Sequence, residues 1–189
     1  AGTIDACSAV ASLSNGGRRA SFCLGQLLRR SADLDAAMTW FGRALEAPGE
    51  GGANGTPSTD ADPLPSTAEI LYRMGEIELA RGRVAEARRL TTECLAAEPE
   101  HYWGRFQWGV ILEVEGDGAA AIREHERLVD RYPEHAAAMM QLGSLYRSAG
   151  DTPNAERWFM RARALLPDKR LADAELRQLG AAQHPTDVR

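Results

Sequence analysis

The stretch AAAMMQLGSLYRSAGDTPNAERWFMRARALLPDK, residues 136–169, decides the fold of this chain. Its small, aromatic and proline residues occupy a fixed set of positions: Leu142, Gly143, Tyr146, Ala155, Phe159, Ala162 and Pro167. The same positions 34 residues earlier hold Trp108, Gly109, Leu112, Ala121, His125, Leu128 and Pro133, and one further period earlier hold Met74, Gly75, Glu78, Ala87, Thr91, Cys94 and Pro99. A partial fourth copy reads Leu24, Gly25, Leu28, Ala37, Phe41 and Ala44. A fixed period of this length predicts stacked repeats, each burying its apolar face against its neighbours.

Each repeat is expected to contain two helices joined by a tight turn. In residues 136–149 the apolar side chains follow helical spacing, and Gly150 then favours the left-handed conformation that ends a helix. A second helix is predicted from about Pro153 to Leu166, and Pro167 cannot continue it. Gly116 and Gly82 occupy the equivalent turn positions, whereas the first copy has Ala32 there.

This pattern resembles the tetratricopeptide repeat family, most closely in the last copy. The resemblance implies an all-α, right-handed superhelix of four helix-turn-helix repeats with a C-terminal capping helix. We assign residues 18–51, 68–101, 102–135 and 136–169 to the four repeats, 52–67 to a flexible insert rich in Gly, Pro, Ser and Asp, and 170–182 to the capping helix. Residues 1–17 are assigned to an N-terminal helix or the remnant of an earlier repeat, and 183–189 to a tail.

The composition argues against nucleic acid and membrane as partners. The formal net charge is −5, whereas a nucleic-acid-binding surface needs basic residues to neutralise phosphates. No segment reaches the roughly 18 consecutive apolar residues of a membrane-spanning helix, and no signal peptide is evident. Three cysteines (Cys7, Cys23 and Cys94) are too few for a disulfide framework. A Cys7–Cys23 bridge stays open, Cys94 is expected to be a small buried residue, and we expect a cytoplasmic protein.

No motif for catalysis, phosphate binding or metal binding is present in the sequence. His101 and His135 lie one period apart, in equivalent turns between repeats. We expect both imidazoles to be exposed to solvent rather than to bind a metal. The sequence therefore predicts a protein that is not an enzyme and needs no cofactor.

In this family the first helix of each repeat lines a concave groove, so the resemblance places the partner-binding residues there. These are Phe22, Gln26, Arg29, Tyr72, Arg73, Glu76, Trp103, Phe106, Gln107, Val110, Met140, Gln141, Ser144 and Arg147. Large exposed aromatic side chains are frequent binding hot spots. We expect Trp103 to be exposed, whereas Tyr72 and Phe106 either face the groove or pack between neighbouring first helices.

Some family members bind a peptide's C-terminal carboxylate through Lys and Asn residues at fixed positions of the groove. Here those positions hold Phe22, Gln26, Arg73, Ala137 and Gln141, so that mode of binding is not expected. The predicted function is a scaffold or adaptor that binds a protein or peptide segment. The alternatives are a regulatory or localising domain of a larger, membrane-anchored envelope or polysaccharide-assembly protein, the substrate-binding arm of an enzyme complex, and self-association into a homo-oligomer.

Overall fold

The structure is a computed structural model that describes residues 17–47 and 64–183, without the side chains of residues 181–183. These residues form nine α-helices and no strand: α1 (Arg18–Arg30), α2 (Leu34–Glu46), α3 (Thr67–Ala80), α4 (Val84–Ala97), α5 (Tyr102–Val114), α6 (Gly118–Arg131), α7 (Ala136–Ser148), α8 (Thr152–Leu165) and α9 (Arg170–Gln183). The predicted all-α class is confirmed. The predictions for residues 1–16, for residues 52–63 of the insert and for residues 184–189 lie outside the described residues.

The chain divides into two compact units, residues 1–104 and residues 105–189. In unit 1 the helices pair as α1 with α2 and α3 with α4, and α2 also contacts α3. Its core comprises one cluster around Phe41, Ile70 and Ile77 and another around Leu90 and Cys94. Cys94 is fully buried, as the sequence predicts, and burial raises the pKa of its thiol to about 12.

In unit 2, helix α7 packs against both α6 and α8, and α9 packs against α8. Leu128, Met139, Leu142 and Trp158 belong to the main core cluster. The C-terminal helix α9 places Leu179 against Ala155 and Phe159, as a capping helix should. Leu171, an apolar residue of this helix, is nevertheless 61% exposed. The buried stripe runs instead through Ala172 and Leu179, two turns apart on the same face.

A glycine of the repeat lets the two helices approach closely in three of the pairs. A Cβ added at Gly143 would lie 2.5 Å from Cε1 of Phe159, and one added at Gly25 would lie 2.6 Å from Cε1 of Phe41. The same contact joins Gly109 to His125, whose Cε1 would lie 2.5 Å from the added atom. The ring in the second helix of the pair therefore occupies the space that the glycine leaves open.

The turns within the repeats have the predicted conformation. Gly82, Gly116 and Gly150 have φ angles of 73°, 89° and 80°, in the left-handed region that glycine favours. Ala32, which replaces glycine in the first repeat, has a φ of 63° despite its Cβ. The aspartate after three of these four turns, including Asp117, caps the following helix by accepting a hydrogen bond from a backbone N–H.

Candidate functional site

In unit 1 the candidate residues lie along a chain of ion pairs. Arg29 on α1 and Arg73 on α3 each place Nη1 3.4 Å from Oε2 of Glu76. Arg73 donates through Nε to Oε1 of Glu69 at 2.8 Å, and Nε2 of His101 lies 3.2 Å from the second carboxylate oxygen of Glu69. This ionic chain runs from α1 across α3 to the turn before α5.

Glu69 is a functional candidate that the sequence analysis missed. Burial alone raises the pKa of its carboxyl, but the hydrogen bond from His101 and the charge of Arg73 outweigh that effect and hold the pKa below its usual range. Glu69 and Arg73 lie four residues apart on one helix, the spacing at which oppositely charged side chains form an ion pair, so the sequence alone predicts this contact. The contact with His101, by contrast, depends on how two repeats stack.

Trp103 is an exposed aromatic residue in unit 1, as the sequence predicts. Its side chain is 38% exposed, and its ring stacks on that of Tyr72 with the centroids 6.3 Å apart and the planes inclined by 14°. Tyr102 meets the same ring edge-on at 4.9 Å. The guanidinium of Arg73 covers the Tyr72 ring, 4.8 Å from its centroid. We call Tyr72 and Trp103 the aromatic stack.

The sequence left open whether Tyr72 faces the groove or packs inside the protein. The structure favours packing, because Tyr72 is only 6% exposed. Burial, followed by the charge of Glu76, raises the pKa of its hydroxyl to about 12. The buried ring of Tyr72 is thus the surface on which the exposed ring of Trp103 stacks. The half-exposed or exposed candidates of unit 1, which we call the unit 1 face, are Phe22, Gln26, Arg29, Arg73, Glu76 and Trp103.

The expectation that His101 and His135 are exposed is wrong. His135 is 2% exposed and His101 is half-buried. Nδ1 of His135 accepts a hydrogen bond from the backbone N–H of Ala138 at 3.2 Å, and Nδ1 of His101 accepts one from Gly104 at 3.0 Å. Each imidazole therefore caps the N-terminus of the following helix, and capping requires the ring to lie against the backbone.

Most candidate residues of unit 2 are in contact with other residues of the protein and present little surface to a partner. Phe106 stacks on His135, with centroids 5.1 Å apart, and is tilted against His125 at 5.4 Å. Gln107 is 3% exposed, so it presents almost no surface to a partner, contrary to the prediction. Arg147 pairs with Glu175 of the capping helix. The other four are half-buried: Val110, Met140, Gln141 and Ser144.

The described residues contain neither a metal-binding cluster nor a membrane-spanning helix. Residues 17–47 and 64–183 contain no group of three or more His, Cys, Asp or Glu side chains arranged to hold a metal ion. None of the nine helices has both the length and the apolar character needed to cross a membrane.

Comparisons with known proteins agree with this architecture. Residues 106–170 match the family model of the tetratricopeptide repeat (TPR). The structure of YrrB, described as a TPR protein with an unusual peptide-binding site, is similar with a TM-score of 0.62 at 19% identity, over 90% of this chain and 80% of that one. The structure of MamA is similar with a TM-score of 0.63 at 16% identity, over 91% and 89%. No curated protein sequence matches. At these identities the structural likeness establishes the fold.

Proposed function

We propose that this chain is a tetratricopeptide repeat protein and that it is a non-catalytic scaffold binding a peptide or protein segment on the unit 1 face. Its fold is one that serves in general for protein interaction. The finer proposal concerns where the partner lies. This proposal rests on one observation, which is that the exposed ring of Trp103 stacks nearly parallel to the buried ring of Tyr72.

A rigid, partly exposed tryptophan is well suited to binding. Its apolar area is large, and the stack below it fixes the side chain, so little conformational entropy remains to be lost when a partner binds. The neighbouring side chains Arg29, Arg73 and Glu76 supply hydrogen-bond donors and acceptors at the edge of the face. An apolar anchor beside polar groups is the usual composition of a hot-spot region.

The similarity to YrrB supports a peptide as the partner, since that protein is described as having a peptide-binding site. The candidates of unit 2 contribute less to the proposed face. Gln107 is buried, and Arg147 is held by Glu175. We therefore propose that Phe22, Gln26, Arg29, Arg73, Glu76 and Trp103 make direct contact, and that Tyr72 positions Trp103.

The proposal is tested by selecting peptides from a phage library of random sequences on the immobilised full chain. Each round includes a counter-selection against the Trp103→Ala variant, which removes peptides that bind elsewhere. We expect a family of related sequences that bind the wild type and not the variant. If repeated selections enrich no sequence on the wild type, or enrich only sequences that both proteins bind equally, the unit 1 face is not a peptide-binding site.

A further inference from the structure

A cavity of about 530 Å³ opens beside the unit 1 face. Phe22 belongs to both, and the other walls come from the first turn of α3, the residues just before it and the turn between α4 and α5. Its volume falls within the range of about 300–1,000 Å³ that is typical of ligand pockets. A segment bound over the unit 1 face would therefore pass the mouth of this cavity.

The charged groups in the wall are predominantly acidic. Glu69 and Glu98 both line the cavity, and Arg19 lines it with the opposite charge. His101 accepts a hydrogen bond at Nδ1 from the backbone N–H of Gly104 and faces Glu69 through Nε2. Two carboxylates thus line the wall against one guanidinium, and Arg73, outside the wall, pairs with Glu69.

Glu98 differs from Glu69 in having no cation of its own. Glu69 is paired with Arg73 and hydrogen-bonded to His101. Glu98 is half-buried and takes part in none of the ion pairs that the structure shows among the described residues, although Arg19 lines the same cavity. A half-buried carboxylate without a counter-charge is stabilised when a cation enters.

The remaining walls are apolar. Phe22, Leu64 and Pro65 face the same space. Such walls suit the methylene stem of a long basic side chain, which buries its carbon atoms while its charged end reaches a polar group. The Phe22 ring adds a surface to which a cation is attracted. An acidic side chain would meet two carboxylates here, so the charge of the wall selects against it.

We infer that this cavity is a specificity pocket that receives a Lys or Arg side chain of the segment bound on the unit 1 face, with Glu98 as its main charge partner. The inference rests on the proposed function and adds the chemistry of the ligand. A bound segment would place its apolar anchor at Trp103 and its basic residue in the cavity.

The phage selection on the full chain tests both statements and separates them. We expect Lys or Arg at one fixed position of the enriched peptides. Peptides that bind through Trp103 but show no basic residue at any fixed position overturn the pocket and leave the proposed function standing. A selection that enriches nothing overturns the proposed function, and the pocket with it.

The role of Glu98 is then measured by fluorescence anisotropy with one enriched peptide and with the same peptide carrying Gln in place of its basic residue. Glu98→Gln should weaken binding of the basic peptide roughly threefold to tenfold and leave the Gln peptide unchanged. Glu46→Gln, an exposed glutamate of the same unit outside the cavity, is the matched control and should change neither affinity. Equal weakening of both peptides by Glu98→Gln, or none of either, overturns the assignment.

Discussion

At the scale of single residues, one contact recurs in three of the four repeats. A glycine of the first helix lies under a ring of the second, as Gly25 under Phe41, Gly143 under Phe159 and Gly109 under His125. Thr91 occupies the ring position in the remaining repeat. The glycine is needed because there is no room for a Cβ, and the ring is needed because it fills the space that the glycine leaves.

The glycine contact predicts opposite effects for two glycine-to-alanine changes. Gly143→Ala should lower the free energy of unfolding by about 1–3 kcal/mol, because its Cβ collides with the buried Phe159 ring. Gly42→Ala, in the middle of α2 with nothing within 4 Å of the added Cβ, should raise it by about 0.5–1 kcal/mol through helix propensity alone. Urea unfolding of both variants measures the difference. Equal effects of the same sign would show that the close approach does not govern stability.

His125 makes one of these contacts sensitive to acid. Its ring is fully buried, and no described residue supplies a hydrogen-bond partner to either nitrogen. Burial, with a smaller contribution from the nearby His135, lowers the pKa of His125 from 6.5 to about 4. Between these two pH values the unfolded chain binds a proton that the folded chain does not. The free energy of unfolding therefore falls as the pH drops through this window.

His125→Phe should remove this acid sensitivity, because the other ring positions already hold Phe41 and Phe159 over equivalent glycines. Wild type should lose roughly 3 kcal/mol more than the variant between pH 6.5 and pH 4. Urea unfolding at several pH values measures the two slopes. His135 stays in both proteins and contributes equally to both. Parallel slopes for the two proteins would contradict the burial of a neutral His125.

At the scale of the helices and their turns, the first repeat differs from the others. Its turn holds Ala32 at a φ of 63°, where the others hold glycine. A Cβ in this conformation costs about 1–2 kcal/mol, and the helix ends here nonetheless. Asp33 caps α2 in the usual way, with its side chain accepting from the N–H of Ala36. The packing of the helix pair therefore determines the turn in spite of the local cost.

Ala32→Gly should relieve that cost. We expect a gain of about 0.5–1 kcal/mol in the free energy of unfolding, since the greater freedom of glycine in the unfolded chain offsets part of the relief. Ala85→Gly, at an exposed position in the first turn of α4, is the control and should lose up to about 1 kcal/mol. Thermal unfolding compares the two. A loss of stability in Ala32→Gly would mean that the turn carries no such strain.

At the scale of the whole molecule, the period in the sequence predicted the all-α helical repeat and the turns at Gly82, Gly116 and Gly150. The period predicts these features because the glycines of the turns and of the helix contacts recur at fixed positions within each repeat. The exposure of individual candidates was harder to predict. His135 caps a helix, Gln107 is buried and Arg147 pairs with the capping helix. The burial of Gln107 and the pairing of Arg147 depend on residues far away in the sequence, which a period does not encode, whereas the His135 cap is a local contact with the N–H of Ala138.

The most direct test of a binding face built around Trp103 is isothermal titration calorimetry of one peptide, enriched on the wild type without counter-selection, against wild type, Trp103→Ala and Leu171→Ala. Leu171 is an exposed apolar residue of the capping helix and serves as the matched control. We predict that Trp103→Ala loses at least tenfold in affinity, while its melting temperature falls by no more than about 4 °C because the Trp103 ring is partly exposed in the folded protein. Leu171→Ala should bind like wild type. Unchanged affinity in a folded Trp103→Ala variant would contradict the proposed face.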